Sequence, residues 1–251
     1  MTRRQALWVV FIALALAGCS VPIHALASWQ PGWGPYLALV AALTVASALR
    51  VAWLLTTAGR AVSALKLGEP SCELRLAARR AGVDRVVVVD SEDVYALCSG
   101  LLRPRVVVSV GLASAATPAV LEAVLVHEAH HAKRREPLRR AIFSAVADVL
   151  LPLPVVRWWA DRHVEESELA ADRAAIQRVG VKSVAAALMI FGSSARRSAV
   201  AAFGGAAELR AAQVLGEPLP KRRVPLRTLA GSAAGLTGLA SAVLCATLVS
   251  G

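Results

Sequence analysis

The sequence predicts a mainly α membrane protein in which transmembrane helices frame an α+β domain with a small β-sheet. Three observations predict it. Apolar runs long enough to cross a bilayer lie near both ends of the chain. Three short strand-like segments, two of them valine-rich, stand between them. A capped helical pattern carrying His127-Glu128-Ala129-His130-His131 follows those strands. The composition agrees: 57% hydrophobic residues and a mean hydropathy of +0.57 exceed what a soluble domain usually carries.

Residues 1–67 are expected to hold two transmembrane helices. The first apolar run, Ala6 to Ala27, follows Arg3 and Arg4. Leu16-Ala17-Gly18-Cys19 resembles a lipoprotein processing box, which would put the domain outside the membrane. The run continues past Cys19, however, and its length suits a retained helix better than a signal segment. The second span is expected from Tyr36 to about Gly59, interrupted only by Arg50. The link between the spans holds Trp29, Trp33 and Tyr36 and no Lys or Arg, as an outer interfacial loop would. Arg60 and Lys66 follow the second span, so both ends belong inside.

Residues 68–220 form the expected working domain. Strands are read at Asp84–Asp90, Val94–Ser99 and Arg105–Val110, with a turn at Gly100-Leu101-Leu102-Arg103-Pro104. A sheet edge beside a metal-binding helix can hold an extended substrate as one more strand. Arg105–Val110 is the expected edge here, with an interior structural strand as the alternative. The next helix opens on Thr117-Pro118, a cap followed by proline at the first helical position. Its apolar face is Val120, Leu121, Val124 and Leu125; Arg134 and Arg135 place charge in the last turn, and Pro137 ends it.

H-E-x-x-H on a helix puts His127 and His131 on one face, within reach of one metal ion, with Glu128 beside a water it can deprotonate. His130 points about 100° away from His131 and is not an expected ligand. A catalytic zinc site wants a third protein ligand. Glu168 and Asp172 lie one turn apart on a downstream helical segment. Glu168 can complete the site for one Zn²⁺ ion, and Asp172 can accept the free ring N–H of a ligand histidine. Glu165 is the rival ligand, but no carboxylate stands four residues after it. For the oxyanion, His163, Tyr95 and Arg162 are candidates.

The apolar stretch 138–159, with Pro152 and Pro154 and ending at Trp158-Trp159, resembles a membrane span. One crossing would separate His131 from Glu168, and two would need about 40 apolar residues. The stretch is therefore expected to be re-entrant, interfacial or a core helix. Residues 221–251 hold the last transmembrane helix, from about Thr228 to Val249, preceded by Lys221, Arg222, Arg223 and Arg227. The positive residues again place the central domain in the cytoplasm of a multi-pass cell-membrane protein. Gly231 and Gly235 form a G-x-x-x-G, read either as a close packing face or as part of a small-residue helix.

The net charge of +11 comes with no zinc-finger or helix-turn-helix signal, so nucleic acid is not an expected partner. The charge is read as a face toward anionic lipid or as a topology signal. The four cysteines, Cys19, Cys72, Cys98 and Cys245, are far apart and give neither a disulfide framework nor a thiolate metal site.

Gly100-Leu101-Leu102-Arg103-Pro104-Arg105-Val106-Val107-Val108-Ser109, then Gly111-Leu112, resembles a segment of the BlaR/MecR-type membrane metallopeptidases. The stretch from Val126 to Leu138 is similar to that family's zinc helix, with Glu136 where an aspartate is usual, and Glu168 to Asp172 matches its E-x-x-x-D. The HtpX-type membrane quality-control peptidases share H-E-x-x-H and E-x-x-A-D but lack the Gly100–Arg105 pattern. The resemblance implies a gluzincin-type metallopeptidase: His127, His131 and Glu168 on zinc, Glu128 as general base and Asp172 behind the ligands. It also implies cleavage of a protein substrate in signalling, such as a transcriptional repressor. Only Ser250 and Gly251 follow the last span, so a penicillin-binding sensor domain is not expected. Ser63-Ala64-Leu65-Lys66 reads as S-x-x-K, but at a membrane-helix end. A non-catalytic membrane scaffold that retains the metal fold is the competing class, and the intact Glu128 disfavours it.

Overall fold

The computed structural model describes residues 34–63, 67–100, 103–195, 204–220 and 222–250. The first expected span with Cys19, the link with Trp29 and Trp33, Lys66, Leu101-Leu102 and Lys221 lie outside the described residues. The chain divides into two units. Residues 53–141 and 161–221 carry the sheet; residues up to 52, 142–160 and 222–251 form an apolar unit.

The sheet-bearing unit begins in the last turns of helix α1 (Gly34–Ser63). It continues through strand β1 (Leu67–Gly68), helix α2 (Cys72–Ala81), β2 (Val86–Val89), β3 (Ala96–Ser99) and β4 (Arg105–Ser109). The four strands lie in the order β1-β2-β4-β3. β2 and β4 are parallel, with Val86 opposite Val106, and β3 and β4 are antiparallel, with Leu97 opposite Val107. All three expected strands form. The expected substrate edge does not: β4 is interior, and its Val106, Val107 and Val108 are wholly buried. An uninterrupted valine run suits a strand covered on both faces. The edge on that side is β3, which packs against the histidine-bearing helix.

Ser109 explains why β4 stops where it does. Its hydroxyl accepts from Leu112 N as the cap of helix α3 (Val110–Ala115) and also from Tyr95 N. It donates to the Tyr95 carbonyl as well. Two positions on, a Cβ at Gly111 would run into the Glu92 carbonyl, so only glycine lets α3 sit this close to the β2–β3 loop.

Helix α4 (Pro118–Lys133) is capped by Thr117, whose hydroxyl accepts from Val120 N, and it has Pro118 in its first turn, as expected. Val120, Leu121, Val124 and Leu125 are buried. α4 packs on α2 and on helix α7 (Val181–Ala195), and Val184 and Ala187 of α7 belong to the same core. Arg134 caps α4, Arg135 takes a left-handed conformation (φ 52°), and helix α5 (Glu136–Val149) starts at once. Buried Glu136 meets Arg139 at 3.1 Å and His163 at 3.2 Å.

The apolar stretch 138–159 is a helical hairpin. α5 ends at Val149, residues 150–153 turn, and helix α6 runs Pro154–Val179. Helix α8 (Gly204–Leu215) and helix α9 (Leu226–Ser250) complete the described chain. Within the apolar unit the hairpin turn meets α9: a Cβ at Gly235 would collide with the Pro152 carbonyl, and one at Gly231 would touch the Pro154 ring at 3.3 Å. The G-x-x-x-G is therefore a close packing face. Among the described residues one helix, Leu226–Cys245, is long and apolar enough to cross a membrane. The expected second span lies within the continuous helix α1, and the apolar segment described in it is Ala41–Leu54.

Candidate metal centre

One turn of α4 separates His127 from His131, so their rings lie on one face and their Nε2 atoms approach to 3.1 Å. α6 brings Glu168 against both. Its Oε2 is 3.4 Å from His127 Nε2, and its Oε1 is 3.5 Å from His131 Nε2. These three side chains are buried, and their ligand atoms all lie within 4.8 Å of one another, so together they could hold a metal ion. Two imidazole nitrogens and a carboxylate make a donor set that fits zinc.

Asp172, four residues after Glu168 and only 1% exposed, meets His127 Nδ1 at 2.8 Å. An ionised carboxylate only accepts, so Nδ1 carries the hydrogen and Nε2 is left to face the cluster. Burial pushes the Asp172 carboxyl up, but the His127 hydrogen bond and the Arg210 guanidinium outweigh it and hold it below its ordinary value. The same contest holds Glu168 well below the usual carboxylate range: burial raises it, and His127 and then Arg210 lower it further. For His127 burial works downward, and the hydrogen bonds to Asp172 and Glu168 lift it to about 9. Burial, then the His127 charge, drives His131 down to about 3.

Glu128 is buried. Desolvation raises its carboxyl above the ordinary value, with His127 pulling the other way. Cys98 of β3 also feels this carboxylate: burial first, then the Glu128 charge, push its thiol up to about 12. β3 packs on the helix that carries Glu128.

The other sequence candidates have different partners. Glu165 pairs with Arg162 at 3.3 Å, and Arg162 also meets Glu166 at 2.9 Å. His163 bonds Glu136, and Tyr95 holds Ser109 through its backbone. His130 stays outside the cluster, as expected, and its Nε2 is buried without a hydrogen-bond partner among the described residues.

Three residues at the cluster have no sequence signal of their own. Arg210 of α8 grips Asp172 through Nε at 2.6 Å and Nη2 at 2.8 Å, and its Nη1 reaches Glu168 at 3.3 Å. Arg140 of α5 donates to Glu168 Oε1 at 2.5 Å. Ser167 Oγ lies 3.3 Å from His131 Nδ1.

Residues 71–223, more than half of the chain, match the family model of peptidase family M48. The chain belongs to peptidase family M48. The matched stretch runs from the cap of α2 past α8 and so contains every residue of the cluster, Arg210 included. No curated protein matches the chain. M48 membership together with the two-histidine, one-glutamate cluster indicates a zinc-dependent metallopeptidase.

Proposed function

We propose that this M48 peptidase is a membrane-embedded zinc endopeptidase of BlaR/MecR type that cuts a cytosolic or membrane-proximal protein in signalling, for example a transcriptional repressor. The observation that carries the catalytic part is the convergence of His127, His131 and Glu168 beside a buried Glu128. In this reading those three residues hold the ion, and Asp172 fixes the His127 tautomer. Zinc, when bound, supplies Lewis-acid activation of water and of the scissile carbonyl. Glu128 takes the proton from the attacking water and passes it to the leaving amine. Its raised affinity for a proton suits both halves of that task. The substrate backbone adds along β3, whose outer edge has no strand partner among the described residues.

The membrane part of the proposal rests on the apolar helix Leu226–Cys245 and on the apolar runs of the sequence. The distribution of Lys and Arg around those runs favours a multi-pass protein with its peptidase domain in the cytoplasm.

The test compares wild type with Glu128→Gln in cells, by mass spectrometry of newly formed protein N-termini, and measures zinc in both purified proteins. The variant should lose cleavage by a factor on the order of 10²–10⁴ and keep its zinc. Undiminished cleavage removes Glu128 from the base role. One or a few cleaved proteins fit signalling, whereas a broad set of damaged membrane proteins fits an HtpX-type quality-control peptidase.

A further inference from the structure

A cleft of about 460 Å³ lies between α2 and the sheet and shares no residue with the metal cluster. Four arginines line it, Arg75, Arg79, Arg85 and Arg105, with a single carboxylate, Asp84. The fold puts these charges together in two like-charge pairs. Arg75 and Arg79 are four apart on α2 and share a face. Arg85 and Arg105 stand side by side, because the parallel register pairs Val86 with Val106 and Val106 N bonds the Arg85 carbonyl. Like charges in both arrangements repel. Compensation inside the protein is slight. Arg75 reaches the exposed Glu69 at 4.0 Å, and among the described residues Arg79, Arg85 and Arg105 form no ion pair.

The structure assigns this cleft as a binding site for a phosphate group, in the form of a phosphoester. A concave wall of one sign concentrates counter-ions. Guanidinium forks match phosphate oxygens two at a time, and four guanidinium groups lining one cleft suit an acceptor with several oxygens rather than a halide. The cleft floor is apolar, formed by Ala78, Val83, Val86 and Val87, and suits the organic part of such an ester. An anionic phospholipid headgroup and a soluble phosphate compound share this chemistry.

The test uses the full chain in non-ionic detergent micelles and follows its thermal unfolding. One arm adds inorganic phosphate against chloride at equal ionic strength. The other adds phosphatidylglycerol to the micelles against phosphatidylcholine. Wild type should be stabilised by phosphate, by phosphatidylglycerol or by both, and by neither control. A response to phosphate assigns a soluble ligand, and a response to phosphatidylglycerol alone assigns the lipid headgroup. Arg85→Gln/Arg105→Gln should weaken the response at least about tenfold, the loss of one charge-assisted contact or more. Arg79→Gln, on an exposed helix face, should weaken it in the same direction and serves if the double variant does not fold. Absence of any response in wild type, or an equal response in the variants, overturns the assignment.

Discussion

Arginine meets carboxylate in both units of this chain, and what else stands beside the carboxylates separates the two cases. At the metal cluster three buried carboxylates, Glu128, Glu168 and Asp172, face Arg140 and Arg210. Negative charge is in excess, and lone pairs from two histidines point the same way. In the apolar unit one carboxylate serves two arginines. Asp148 of α5 meets Arg50 of α1 at 2.8 Å and Arg157 of α6 at 3.5 Å. These ion pairs join three helices of that unit. An arginine beside an acidic group therefore says little by itself; the two histidine donors beside Glu168 separate a binding site from a brace.

The largest effect should come from removing part of the surplus at the metal cluster. Glu168→Ala deletes one of three donors and should abolish both zinc retention, measured on the purified protein, and proteolysis. A variant that still binds stoichiometric zinc would show that Glu168 is not a ligand. Arg210→Ala removes no donor. It frees Asp172, which orients His127, and support of this kind is worth about 10–100-fold in metal affinity or activity. Arg210→Lys keeps the charge but cannot grip both Asp172 oxygens and should recover only part of the loss. Full recovery would mean that charge alone matters at this position.

Asp148→Ala tests the brace. Both partners are partly exposed, 35% for Arg50 and 22% for Asp148, so the loss should be about 1–2 kcal/mol in thermal stability, below the cost of breaking a fully buried pair. Zinc content and the activity of the folded protein should stay at wild-type levels. Loss of zinc in Asp148→Ala would end the distinction between the two clusters.

The sequence makes some of this legible and hides the rest for physical reasons. The histidines, Glu168 and Asp172 are readable because a helix turns a spacing of four into one face, and Thr117-Pro118 marks where that helix starts. Arg210 lies 38 positions from Asp172 on a separate helix, so only tertiary packing creates its role. The strands were legible singly but not in order. Three short segments carry the same local signal, and nothing local says that β4 inserts between β2 and β3. That insertion moved the expected substrate edge from Arg105–Val110 to Ala96–Ser99. The hairpin in 138–159 was partly legible, because bringing Glu168 to His131 forbids a single straight crossing.

A smaller effect belongs to a hydroxyl elsewhere in the apolar unit. Ser232 of α9 accepts from Val155 N at 2.9 Å and donates to the Thr228 carbonyl at 2.8 Å. Val155 lies in the first turn of α6, where the helix has no partner of its own for its N–H groups. Ser232 thus caps α6 from another helix, next to the place where Gly231 touches Pro154. Ser232→Ala leaves that N–H without its acceptor and should lower stability by about 1 kcal/mol, the typical net contribution of one hydrogen bond. Thr237→Ala on the same helix removes a hydroxyl that bonds only its own helix, at the Ala233 carbonyl, and should change almost nothing. Thermal unfolding of both variants in detergent makes the comparison. Equal losses would show that the contact does not cap α6, and that α9 is held against the hairpin turn by the close approach of Gly231 and Gly235 alone.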